Sequence, residues 1–159
     1  MTVNTLDWQL TSHGQLCAND VYALLALRSA VFVVEQQCIF QDIDGLDLLD
    51  GTWHLLAWQG DRLVGCLRMF DPSRHDGEVV IGRVATDACV RGSGVGHQLM
   101  ELALEHGSAR WPGCAMYLSA QSHLEAFYAR HGFVVVTDPY LEDDISHVGM
   151  RRVGKPSVD

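Results

Sequence analysis

Val79-Val80-Ile81-Gly82-Arg83-Val84-Ala85-Thr86, then Asp87-Ala88-Cys89-Val90, then Arg91-Gly92-Ser93-Gly94-Val95-Gly96-His97-Gln98-Leu99-Met100: the fold is decided in this stretch. The first part reads as a strand, the middle as a short connection, and the last as a glycine loop opening a helix. Val95, Leu99, Leu102 and Ala103 recur at helical spacing, which gives that helix one apolar face. Glycines let the main chain approach a ligand closely, and the first helical turn has N–H groups without internal partners. With the helix dipole they form an anion site suited to a phosphate or pyrophosphate, and Arg91 adds a charge-assisted contact. Three readings compete: a plain tight turn, a dinucleotide fingerprint and a pyrophosphate loop. The fingerprint G-x-G-x-x-G wants its third glycine one residue later and an acid about 20 positions on. The strand Cys114 to Ala120 ends without that acid, and no G-K-[ST] follows to make a P-loop.

Working outward, an opening strand is expected around Leu6 to Leu10, then a helix from about Asp20 to Val33 with Asn19 as its N-cap. Residues 35–51 read as an irregular loop rich in Asp and Gly. Trp53 to Trp58 and Leu63 to Phe70 form a hairpin across Gln59-Gly60-Asp61. Beyond the central stretch come the strand Cys114 to Ala120 and a short helix. That helix starts at Ser122-His123-Leu124-Glu125, which has capping-box spacing, and Gly132 would end it. Phe133 to Thr137 is a β-branched run, and Val148 to Val153 is a candidate last strand. This order predicts a mixed α/β (α+β) fold, with a mostly antiparallel central sheet and helices on both faces. The expected organisation is a single domain over 1–153 and a loose tail over 154–159.

Composition narrows the partners. The chain has 159 residues, 48% hydrophobic and 19% charged, which suits one globular unit. Eleven basic against twenty acidic residues leave a net charge of −9, so a basic face for nucleic acid or an anionic membrane is not expected. No apolar run approaches the roughly 20 residues of a spanning helix, and Met1 to Leu10 carries no secretory signature. A cytoplasmic protein is expected. Five cysteines without a C-x-x-C pair argue against a disulfide framework or a zinc ribbon, and no H-E-x-x-H occurs among the eight histidines, so no metal is expected.

The loop Arg91-Gly92-Ser93-Gly94-Val95-Gly96 fits R/Q-x-x-G-x-G/A and resembles the pyrophosphate loop of the GNAT superfamily of N-acetyltransferases. Phe127-Tyr128-Ala129-Arg130-His131-Gly132-Phe133 resembles the later signature of the same superfamily. Leu27-Arg28, Val31-Phe32-Val33-Val34-Glu35-Gln36, Asp44-Gly45 with Asp47, Ile81-Gly82-Arg83-Val84 and the Glu142-Asp143…His147 ending are similar to its ElaA branch. The last loop departs from that pattern: Ser146 stands where proline is expected and Asp144 where glycine is.

The resemblance implies a GNAT-type fold and transfer of an acetyl group from acetyl-CoA to a primary amine, by direct attack in a ternary complex. The acceptor would be a small cationic amine or a protein amine, and a homodimer is allowed. It also implies that main-chain groups of Val84, Ala85 and Thr86 pair with the pantetheine arm. Arg91, Gly92, Ser93, Gly94, Val95 and Gly96 would hold the pyrophosphate, with Gln121 as a further cofactor contact. An N–H near Val84 would polarise the thioester carbonyl. Tyr128 is the implied general acid, against the alternative of a tyrosine packed with Leu124 and Phe127. Three candidates remain for the base: Glu35, with a pKa that burial after Val-Phe-Val-Val would raise, and His54 or His147 through water. Each also reads as an ordinary salt-bridge or hydrogen-bonding group.

Asp42, Asp44 and Asp47, with Glu142, Asp143 and Asp144, make two acidic loops. These read as solvated ends, as a trap for an ammonium acceptor, or as partners of Arg28, Arg68 and Arg83. A non-catalytic module of the same fold that binds CoA is the alternative to an enzyme.

Overall fold

The computed structural model describes residues 5–156. Its elements run β1 (Asp7–Ser12), α1 (Ala18–Arg28), β2 (Thr52–Gln59), β3 (Arg62–Phe70), β4 (Val79–Thr86), α2 (Val95–Arg110), β5 (Met116–Gln121), α3 (Glu125–Ala129), β6 (Val134–Val135), β7 (Tyr140–Glu142) and β8 (Ile145–Arg152). The strands form one sheet in the order β1-β2-β3-β4-β5-β8-β6, with β7 also on β8. Every pairing is antiparallel except β4–β5. The expected mixed, mostly antiparallel sheet is what the structure contains.

Side chains alternate between the two faces of the strands, and both faces are covered. Leu55, Ala57, Val64 and Leu67 pack with Val95, Leu99, Met100 and Ala103 of α2. Leu56, Leu63, Cys66 and Ala85 turn the other way, onto Leu24, Leu27 and Val31. Gly65 sits where α2 crosses the sheet: a Cβ there would lie 3.2 Å from Leu99 and 3.3 Å from Ala57, so any larger residue would push the helix or its neighbours back by a few tenths of an ångström.

Local differences from the sequence reading have physical causes. The N-cap of α1 is Cys17 rather than Asn19, because Asp20 reaches back 3.2 Å to accept the Cys17 N–H. The helix ends as α at Arg28 and continues as a π-helical turn over Ser29–Glu35, where β-branched Val31, Val33 and Val34 crowd a regular turn. Ser122 does not cap a helix with Glu125. Its hydroxyl lies 2.7 Å from that of Ser146, and Ser122–Leu124 form a 3-10 turn ahead of α3. Gly60-Asp61 closes the β2–β3 hairpin, with Gly60 at φ 60. Of the segment read as a tail, Lys155 accepts a hydrogen bond from the Gly113 N–H at 3.0 Å, and residues 157–159 lie outside the described residues.

Candidate active site

β4 and β5 run parallel only through Val79↔Met116 and Val80↔Tyr117, and then diverge. From Ile81 to Thr86 the edge of β4 that faced β5 has no strand beside it among the described residues, while its other edge stays on β3. That free edge can take an extended ligand as a further strand would sit. β4 is also bulged. The register with β3 jumps from Cys66↔Ala85 to Arg68↔Gly82, leaving Arg83 and Val84 opposite Leu67. Arg83 holds φ at 52°, a left-handed conformation that costs a side-chain-bearing residue about 1–3 kcal/mol. Such a bulge re-aims the main chain next to it, here at Val84.

The glycine loop lies beyond the same end of β4. Gly92 and Gly94 take positive φ (79° and 91°), and a Cβ on either would meet nothing within 4 Å, so the space above the loop is open. Gly94 caps α2, whose first internal bond runs from the Gln98 N–H to Gly94 at 3.0 Å. The N–H groups of Val95, Gly96 and His97 therefore have no acceptor within the helix, which suits them to an anion. Ser93 folds its hydroxyl back onto the Val90 carbonyl. Arg91 bonds the Thr86 carbonyl at 2.7 Å and pairs with Glu35 at 2.7 Å, tying the loop to the end of β4 and to the π-helical turn.

A cavity of about 300 Å³ opens in the splay. Val84, Gln121, Tyr128 and His147 line it, and Ala85, Thr86, Glu35 and His54 do not. Tyr128 is 7% exposed, and burial pushes its phenol up to about 12. It packs edge-on against Phe127 and Phe133, so its ring belongs to the core while its residue also faces the cavity. The packing and site readings of this residue are compatible.

His147 Nδ1 lies 2.7 Å from the Ile145 carbonyl, which can only accept, so Nδ1 carries the proton in the neutral ring. Nε2 is then the lone-pair nitrogen, 3.8 Å from Glu142 Oε2. His54 is fully buried. Its Nε2 donates to the Asp47 carbonyl at 2.9 Å, its Nδ1 has no partner, and burial pushes its pKa down. Glu35 was expected to be buried and is instead 43% exposed, in its pair with Arg91. The π-helical turn rotates it outward.

The two acidic loops do not act together. Asp42, Asp44 and Asp47 pair with Arg28, Arg68 and Arg83 at 2.6–3.3 Å. Arg28 is fully buried, and the aspartates hold its pKa up against desolvation. Burial would raise the Asp44 carboxyl, but hydrogen bonds from Arg68 and the Leu46 N–H, with the charges of Arg68 and Arg83, bring it down to about 2. Glu142 instead accepts from the Ser119 hydroxyl at 3.0 Å and lines the cavity with Asp143. The Tyr140 hydroxyl bonds the same Ser119 oxygen. Phe32, Phe40 and Phe70 form an apolar wall of the cavity. Sequence reasoning missed the three phenylalanines, Ser119 and Tyr140, because isolated aromatic and hydroxyl residues carry no motif. Among the described residues, no group of three or more His, Cys, Asp or Glu side chains is arranged to hold a metal, and no helix is long and apolar enough to cross a membrane.

Comparison with known proteins agrees with this geometry. Residues 22–153 match the family described as an acetyltransferase (GNAT) domain. The Escherichia coli (strain K12) protein ElaA is 47% identical over 92% of this chain and 96% of its own length. The crystal structure of E. coli ElaA aligns with a TM-score of 0.89 at 46% identity, over 93% of this chain and 99% of that one. A crystal structure of an acyl-CoA N-acyltransferase from Pseudomonas aeruginosa gives 0.90 at 55% identity, again over 93% and 99%.

Proposed function

From the premise that this chain belongs to the GNAT acetyltransferase family, and is therefore an acyltransferase that draws on acyl-CoA, we propose that it moves an acetyl group from acetyl-CoA to a primary amine. The observation that carries the reading is a convergence. The free edge of β4 leads to the unpaired N–H groups at the start of α2, and Tyr128 and His147 line the cavity beside that edge.

The division of labour follows from the chemistry. Main-chain groups of Val84, Ala85 and Thr86 pair with the extended arm of the co-substrate, and Gln121 lines the opposite wall. The N–H groups of Gly92, Gly94, Val95 and Gly96 hold the pyrophosphate, whereas the Ser93 N–H is already given to the Val90 carbonyl at 3.3 Å. Arg91 exchanges part of its contact with Glu35 for that anion. The Val84 N–H donates to the thioester carbonyl oxygen, where negative charge builds as the amine attacks.

His147 Nε2 takes the proton from the ammonium acceptor, freeing the nitrogen lone pair for the carbonyl carbon. A C–N bond forms, the C–S bond breaks, and Tyr128 gives its proton to the departing sulfur. The second proton, shed by the acylated nitrogen as it becomes an amide, returns to the Tyr128 phenolate. A phenol held up to about 12 keeps its proton at any working pH and yields it only as charge develops beside it. Glu35 and His54 are left out of the transfer, the first because it is bound to Arg91 outside the cavity and the second because it is sealed in the core. Five free cysteines suit the reducing cytoplasm.

Calorimetric titration with acetyl-CoA, and with an analogue lacking the pyrophosphate, tests the cradle. Binding that weakens by at least tenfold without the pyrophosphate is expected, followed by thiol release when amines are added. Absence of binding at millimolar acetyl-CoA contradicts the reading. Binding without turnover for any amine points instead to a CoA-binding module.

A further inference from the structure

We infer that the acceptor is a small primary amine carrying a single positive charge on an apolar stem, arylalkylamines being the best-fitting class. The inference rests on the acetyltransferase reading and deepens it. Phe32 and Phe40 meet edge to face, with ring centroids 6.4 Å apart at 62°. Both rings are only partly buried, and both line the cavity, as does Phe70. Two half-exposed aromatic rings inside a concave site offer an apolar stem a large contact area with little motion to freeze.

Charge and stem together set the other amines apart. Arg68 and Arg83 also line the cavity, but their cationic groups are already matched by Asp42, Asp44 and Asp47. A carboxylate beside the reacting amine, as in an amino acid, therefore finds no free cation here. Putrescine, with a second ammonium in place of an apolar stem, leaves the rings of Phe32, Phe40 and Phe70 without a stem to cover. In the same cavity Glu142, oriented by Ser119 and close to His147, has no arginine or lysine partner among the described residues. One ammonium is satisfied there, beside the nitrogen that takes its proton. The volume of about 300 Å³ is at the small end for ligand pockets and is shared with the thioester arm, so the stem is short.

Initial rates of thiol release from acetyl-CoA test this on the native protein with three probes: 2-phenylethylamine, L-phenylalanine (the same stem plus a carboxylate) and putrescine. The expected kcat/KM for 2-phenylethylamine exceeds the other two by at least tenfold. Phe40→Ala should raise its KM about tenfold while leaving acetyl-CoA affinity by calorimetry unchanged. Equal or better turnover of L-phenylalanine, putrescine or a lysine-containing peptide overturns the inference. So does a protein that binds acetyl-CoA and acetylates none of the three. Failure to bind acetyl-CoA at all is a different result, and it removes the reaction itself.

Discussion

Two acidic loops border the cleft, and their surroundings differ. Asp42, Asp44 and Asp47 each touch two arginines, in a layer where Arg28 is fully buried and Arg68 is 4% exposed. Glu142 touches a serine hydroxyl and a histidine, and no arginine or lysine pairs with it among the described residues. The first loop spends its charge internally. Its aspartates anchor loop 36–51 to α1, β3 and the bulge of β4, and so hold the residue before Val84. The second loop keeps its charge facing the cavity. Acidity near a site thus means framework where arginines are buried with it, and recognition where they are not.

The largest expected effect breaks the framework. Arg28→Ala leaves buried Asp42 and Asp47 with one arginine each and should cost about 3–5 kcal/mol in chemical unfolding. Glu142→Gln, half-exposed, should stay within about 0.5 kcal/mol of the native protein and raise the KM for the amine. If the two variants lost equal stability, the distinction between the loops would fail.

A subtler pair of variants separates backbone from side chain at the bulge. Arg83→Gly keeps the positive φ and loses the contacts to Asp42 and Asp44, whereas Arg83→Ala loses both comforts. Alanine should be the less stable of the two by about 1 kcal/mol. Both should slow transfer more than they weaken acetyl-CoA binding. Identical stabilities would mean the left-handed conformation is not required.

Acid sharpens the comparison further. Asp44 has a folded pKa of about 2, below its ordinary value, so its stabilisation is present above about pH 4 and drains away as pH falls toward 2. Asp44→Asn should flatten the stability profile in that window, as followed by urea midpoints. An unchanged slope would show that Asp44 carries little of the network.

Much of this was legible in the sequence because the informative signals are local. Gly92 and Gly94 require positive φ, the face from Val95 to Ala103 follows one helix, and the strands on either side of Gly60 are apolar runs interrupted only by His54 on one side and Arg68 on the other. What was not legible depends on partners distant in sequence. Pairing of the acids with Arg28, Arg68 and Arg83 was one of three open readings, and only the fold selects it by bringing Arg28 to Asp42 and Asp47 across 14 and 19 positions; the Cys38 bond to the Asp143 carbonyl, across 105, had no signal at all. The short strand β7 has an exposed centre at Leu141 and no alternating pattern, so only its pairing with β8 reveals it. The outward turn of Glu35 comes from a π-helical segment, which has no simple sequence signature.

The most direct test of the account is the rate of Tyr128→Phe, with its acetyl-CoA affinity measured alongside. Turnover lower by about 10²–10⁴ and an unchanged Kd are expected, since the ring still packs between Phe127 and Phe133 while the proton is gone. Native turnover across a range of pH, from a variant that binds acetyl-CoA normally, would contradict it and remove Tyr128 from the chemistry.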